Sequence, residues 1–409
     1  MTVSDLKETN LFKPIKVGNV NLTTRVTYAP TTRRRATVDF IPSQLQLQYY
    51  GDRSKDNGGL IITEATFVSK QGGLYDQAPG IWSERQAKAW RAITDKVHEN
   101  NTAISVQLWN LGRVASPKLA KEHGLKLLGP SAFYESEASE KAAQEAGIEI
   151  QAATIEDIEN FKKEYVVAAK LAVEVAGFDF IEVHGAHGYL FDQFLQGKGV
   201  NERTDQYGGT IENRARFLLE VIDLLIDTVG AEKLAVRLSP WAEVQGSAGV
   251  NGDPHPIVLY GYVLSELEKR AKQGNRLAYI SIVEPRVSGV TDVSAEEAQR
   301  KGIASNDFVL DIWKGVVVRS GAYLSTPGFP SLIKDVNAND RTLIGASRFW
   351  TSNPDLVQRL KNGKKLTPYD RSTFYLHTNY GYNTWKKYGD DTVVSEDDPE
   401  AKKTPVALA

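Results

Sequence analysis

Eight short runs of apolar and β-branched residues recur along the chain, and a longer stretch with helical spacing follows most of them. They are RVTYA (25–29), GLIITEA (59–65), AISVQL (103–108), FDFIEV (178–183), KLAVRL (233–238), LAYISIV (277–283), GVVVRS (315–320) and TLIGAS (342–347). A strand followed by a helix, repeated, is the pattern of parallel βα units rather than of a sandwich. The helical stretches include 84–99, 155–176, 209–228 and 256–273, with Gly177 and Gly274 where C-caps belong. Eight such units predict an α/β fold, a (β/α)8 TIM barrel.

Three segments exceed a minimal barrel. The leader carries a hairpin signal, KVGNVNL, which predicts a cap over the bottom of the barrel. The polar stretch 110–153 predicts a long top loop after the third strand, and 283–306 a second insertion, after the sixth, able to act as a lid. The barrel is expected to form one domain over 1–385, and the charged stretch 386–409 a flexible tail.

Composition narrows the chemistry. The 49 basic and 51 acidic residues nearly cancel, with no long basic run, so neither nucleic acid nor a membrane is an expected partner. There is no cysteine, which excludes disulfides, thiolate nucleophiles and cysteine-held iron–sulfur clusters. Redox chemistry then has to come from a borrowed cofactor. The first residues lack a secretory pattern and no apolar run is long enough to span a bilayer, so a cytoplasmic protein is expected.

In such barrels the residues just past each strand's C-terminal end face a shared pocket. After the fourth strand come His184, His187 and Tyr189, two imidazoles and a phenol within six residues. The spacing of the histidines lets both point at one oxygen or one metal. As paired N–H donors they would polarise a carbonyl, and Tyr189 could then protonate a neighbouring carbon. Gln107 and Trp109 end the third strand, Arg237 the fifth, and Pro30, Thr31 and Thr32 follow the first. An amide, a guanidinium and a hydroxyl around one pocket suit the imide edge of a flat heteroaromatic ring such as an isoalloxazine. Gly321, Ser347 and Arg348, past the seventh and eighth strands, stand where barrels hold phosphate.

These residues resemble those of the old yellow enzyme family of flavin-dependent ene-reductases, especially its fungal members. The resemblance runs from Asn10 to about Tyr382, and its most specific part is 201–217, which is similar to the signature N-x-R-x-D-x-Y-G-G-x-x-E-N-R-x-R-F. The polar residues of that signature are expected to knit a network that fixes a loop rather than to touch substrate. Further similar segments include Ile62-Thr-Glu64, Glu284-Pro-Arg286-Val and Tyr369-Asp370-Arg371.

The resemblance implies a barrel with non-covalently bound FMN. NADPH would reduce the flavin, and N5 would pass hydride to the β-carbon of an α,β-unsaturated aldehyde, ketone or similar activated alkene. Carried over, Thr32 would touch the flavin O4, Gln107 the pyrimidine edge and Arg237 the N1–O2 region. Pro30 and Thr31 would lie beneath the ring, and Gly321, Ser347 and Arg348 would hold the phosphate. His184 and His187 would grip the substrate carbonyl, Tyr189 would protonate the α-carbon, and Trp109, Phe374 and Tyr375 would wall the substrate pocket. The chain departs from common family patterns at His187, where many yeast relatives carry asparagine, at Gly321-Ala322 and Ser347-Arg348, and at Thr31. Other readings are a dedicated reductase or isomerase of secondary metabolism, a flavin-storage barrel and a metal-dependent barrel hydrolase. A monomer or homodimer acting on small molecules is expected.

Overall fold

The computed structural model describes residues 6–289, 291–294, 296–297, 302 and 304–409. A hairpin comes first, β1 (Ile15–Val17) paired antiparallel with β2 (Val20–Leu22). The strands that follow are β3 (Val26–Tyr28), β4 (Leu60–Phe67), β5 (Ala103–Trp109), β6 (Leu127–Gly129), β7 (Ile150–Ala152), β8 (Phe180–Gly185), β9 (Leu234–Leu238), β10 (Tyr279–Val283), β11 (Val287–Ser288), β12 (Thr291–Asp292), β13 (Val317–Ser320) and β14 (Thr342–Ala346).

Eight of these close a parallel barrel in the order β10-β13-β14-β3-β4-β5-β8-β9. Each coincides with one of the eight runs read from the sequence. Every residue of β4 and β5 is buried, because one face packs into the barrel and the other lies under helices. The helices Glu84–His98 and Ile155–Lys170 each open on a capping box, Ser83 with Gln86 and Thr154 with Asp157.

The leader hairpin closes the bottom. Val17 and Leu22 pack with Leu60, Ala103, Phe180, Val318 and Leu343, residues at or near the N-terminal ends of the strands. The hairpin turn has room only for glycine: at Gly18 the backbone is left-handed and a Cβ would stand 2.1 Å from the Glu232 carbonyl oxygen.

The two insertions carry secondary structure of their own. The stretch after β5 is not an irregular loop but a folded layer, with helices Pro117–Glu122 and Glu137–Ala146 and the parallel pair β6–β7. Its Leu127, Ala143 and Ile150 pack on Phe67 and Trp109, so sparse apolar residues in a polar segment still find a core. After β10, the described part of the expected lid is the hairpin β11–β12; positions 290, 295, 298–301 and 303 lie outside the described residues.

The charged tail, expected to be flexible, returns to the barrel instead. Ala401 is buried and its carbonyl accepts the Tyr380 N–H, Leu408 N–H donates to Pro42, and Ser43 forms a β-bridge with Ala407. Few apolar residues suffice because the backbone itself supplies the bonds.

The signature segment makes a polar network. Asn201 donates to the carbonyls of Phe194 (2.7 Å) and Tyr207 (2.9 Å), while Arg203 pairs with Asp205 and donates to Pro130 and Ala153. It lines no part of the cavity described next.

Candidate active site

The C-terminal ends of the strands surround a cavity of about 660 Å3, within the usual range for a cofactor or ligand pocket. All fourteen residues singled out from the sequence line it: Pro30, Thr31, Thr32, Gln107, Trp109, His184, His187, Tyr189, Arg237, Gly321, Ser347, Arg348, Phe374 and Tyr375.

The histidines and the tyrosine come from the end of β8. His184 stands in register with Arg237 of β9. The chain then turns, with His187 in the left-handed region, and Tyr189 precedes the short helix Leu190–Leu195. Ring centroids lie 6.0 Å apart between His184 and His187 and 4.9 Å apart between His184 and Tyr189. Trp109 backs the group, 5.0 Å from Tyr189 and edge-on to it. Ala186 N–H donates to His184 Nδ1 at 3.4 Å, which leaves the ring proton on Nε2. His187 Nε2 is buried without a hydrogen-bond partner among the described residues.

Burial governs the charge of this group. It drives His184 far below the usual imidazole range, helped by His187 and Arg237, and it brings His187 down to about 3, again with help from Arg237. Both imidazoles are therefore neutral near pH 7, each with one ring N–H. Burial also pushes the Tyr189 phenol up, reinforced by Tyr75, while the Gln245 amide opposes the rise.

A second group lies on β5, β8 and β9. The Gln107 amide nitrogen donates to Glu182 at 2.7 Å, leaving its carbonyl oxygen as an acceptor for an imide N–H. Glu182 is fully buried and its charge acts on Arg237, whose Nε has no hydrogen-bond partner among the described residues. Burial raises the Glu182 carboxyl, and Arg237 and Gln107 offset that rise. Sequence reasoning passed over Glu182. Its signal was the strand period of two, which puts residues 182 and 184 on one face.

The loop after β3 is held by a carboxylate also missed. Glu64 accepts the backbone N–H groups of Arg33 (3.1 Å) and Arg34 (3.2 Å). The buried Arg33 guanidinium then donates to the carbonyls of Phe374 and Gly381. Thr32 and the Phe374–Tyr375 wall are thus joined through one arginine, although they lie far apart in sequence.

At the other end, Gly321 has φ of 134°, and a Cβ there would meet the side chains of Glu284 and Val287. Arg348 is held by Asp292 of the β11–β12 hairpin and by the Tyr369 hydroxyl at 3.0 Å. Neighbouring Arg319 does not line the cavity; it is paired with Glu284 at 2.7 Å. Tyr75, Val244 and Gln245 also line the cavity and were not singled out. Among the described residues no group of three or more histidines and carboxylates is placed to hold a metal ion, and no helix is long and apolar enough to cross a membrane.

Residues 10–367 match the NADH:flavin oxidoreductase / NADH oxidase family. The chain is 54% identical to a probable NADPH dehydrogenase of Candida albicans, over 94% of this chain and 92% of that protein. It is 43% identical to enoate reductase 1 of Kluyveromyces lactis, over 94% and 95%. The crystal structure of an old yellow enzyme from a Pichia species superposes with a TM-score of 0.93 at 57% identity, covering 99% of this chain and 100% of that one.

Proposed function

The chain belongs to the NADH:flavin oxidoreductase / NADH oxidase family, and from that membership we propose that it is an FMN-dependent NADPH dehydrogenase of the old yellow enzyme type, an ene-reductase. When bound, FMN would supply the hydride chemistry that links NADPH to an α,β-unsaturated aldehyde or ketone. The residues present fit that group. Gln107 offers an acceptor and Arg237 an unpartnered N–H toward the pyrimidine edge, Thr32 a hydroxyl, and Arg348 with the backbone at Gly321 and Ser347 the phosphate site.

The observation that carries the reading is His187 Nε2, a buried ring nitrogen with no hydrogen-bond partner among the described residues, in one group with His184 and the Tyr189 phenol. A buried polar atom left unpaired is costly and calls for an oxygen from outside the chain. Neutral His184 and His187 donate to the substrate carbonyl and withdraw charge from the conjugated alkene. Tyr189 gives its proton to the α-carbon and regains one from solvent. Trp109, Phe374 and Tyr375 flank the acceptor and keep it flat.

The test is an anaerobic titration of FMN-loaded protein. NADPH should bleach the flavin absorbance and 2-cyclohexenone should restore it; a flavin that stays reduced with the enone overturns the reading. Alanine at both His184 and His187 should abolish the long-wavelength charge-transfer band that a bound phenol induces.

A further inference from the structure

We propose that Gln245 is a positioning residue for this reaction, its side-chain amide fixing the loop that carries the His187 clamp and the Tyr189 acid; the assignment rests on the ene-reductase reading above. Gln245 lies in the loop after β9, which crosses the loop after β8 at close range. A Cβ on Gly188 would stand 2.7 Å from the Gln245 Cβ and 2.9 Å from the Val244 carbonyl oxygen, so the crossing requires glycine. The His187 peptide groups are held from both sides by this second loop. His187 N–H donates to Ser239 Oγ at 2.8 Å, and the His187 carbonyl accepts from Gln245 Nε2 at 2.9 Å.

The loop that presents Gln245 is itself anchored. Arg113 Nη2 donates to the Gln245 carbonyl at 3.2 Å. Two residues on, Ser247 donates to the buried Asp192 at 2.7 Å, and the same Asp192 oxygen accepts the Gly188 N–H at 2.7 Å. Gln245 has left-handed backbone, with φ of 54°, a strain the fold sustains to aim this side chain.

Tyr189 follows His187 by two residues on the same loop, so the bond to the His187 carbonyl also holds the segment that carries the phenol. The Gln245 amide also offsets part of the rise that burial imposes on the phenol, which favours the phenolate left after proton transfer. Clamp and acid are thereby kept in one geometry relative to a bound carbonyl, which proton transfer to the adjacent carbon requires.

The experiment uses FMN-loaded protein and two variants, Gln245→Met, which keeps length and loses the N–H, and Gln245→Glu, which puts an acceptor where the donor was. The wild type already bears the left-handed backbone, so neither replacement adds that strain. Reoxidation of the reduced enzyme by 2-cyclohexenone should slow by about tenfold or more in Gln245→Met and further in Gln245→Glu. In a Tyr189→Phe background, Gln245→Met should cost clearly less than in the wild type, because the acid it helps to position is already absent and coupled residues do not add. The dissociation constant of 4-chlorophenol, read from its charge-transfer band, should rise several-fold in both single variants. Equal losses in the two backgrounds, equal rates for Met and Glu, or unchanged phenol affinity would each overturn the proposal. The phenol titration needs no turnover, so it judges Gln245 even if the enone fails to reoxidise the wild type, a failure that belongs to the functional reading.

Discussion

Gln107 and Glu182 face each other across β5 and β8 in the barrel interior, with the amide nitrogen 2.7 Å from the carboxylate, and the charge of Glu182 acts in turn on buried Arg237. One carboxylate thus orients an amide and balances a guanidinium at the edge of the cavity. In Glu182→Gln the shape is kept and the charge lost. The folded protein should lose about 3 kcal/mol or more, as expected for a buried cation deprived of its partner. Because the uncompensated Arg237 favours negative charge near the ring, the two-electron FMN potential should rise by about 20–40 mV, equivalent to roughly 1–2 kcal/mol. Dye-equilibrated spectroelectrochemistry measures it, and an unchanged or lowered potential would contradict the assignment.

Replacing Tyr189 by phenylalanine removes the acid and leaves the clamp. Enone reduction by the reduced enzyme should fall by about 100-fold or more, the ordinary contribution of a general acid, while flavin reduction by NADPH stays within about threefold. Stopped-flow absorbance separates the two half-reactions. Equal slowing of both would remove Tyr189 from the proton-donor role.

His184 and His187 have folded-state pKa values depressed below the unfolded value of about 6.5, His187 to about 3. Below pH 6.5 the unfolded chain takes up protons that these buried rings refuse, so stability is lost as pH falls from about 6.5 toward 3. Each group contributes a slope of up to about 1.4 kcal/mol per pH unit. Thermal unfolding at saturating FMN should show a smaller drop in Tm between pH 7 and 5 for His187→Gln than for the wild type. Identical drops would show that His187 is not held neutral by burial.

Asp292 holds Arg348, the cation assigned to the phosphate, and brings a negative charge to the same place. Asp292→Asn removes that competitor from a partly exposed pair. FMN should then bind about two- to fivefold more tightly, the range expected for a surface ion pair. Fluorescence quenching during titration of the apoprotein with FMN measures this, and weaker binding would mean that Asp292 supports the site instead of competing for it.

The barrel was legible because the strand runs and helical stretches each repeat a local pattern, and local patterns survive without knowledge of neighbours. The strand-end residues were legible for a related reason: in this architecture the last residues of every strand converge on one mouth, so position along the strand already implies position in space. The layer after β5 was not legible. Leu127, Ala143 and Ile150 are scattered among polar residues, and only their meeting with Phe67 and Trp109 makes them a core. The docked tail was hidden likewise, because its attachment runs through backbone groups that every residue possesses.

The chain of residues determined by itself that eight parallel units would close around a mouth lined by two histidines, a tyrosine, a glutamine and arginines. Which of those side chains are spent on one another was decided only in three dimensions. Arg319 is consumed by Glu284 while Arg237 keeps an N–H with no partner among the described residues; Arg33 ties the first loop to Phe374; Gln245 reaches the loop of His187. Charge state, too, follows from tertiary burial, since an imidazole stays neutral at low pH only once water has been excluded from around it.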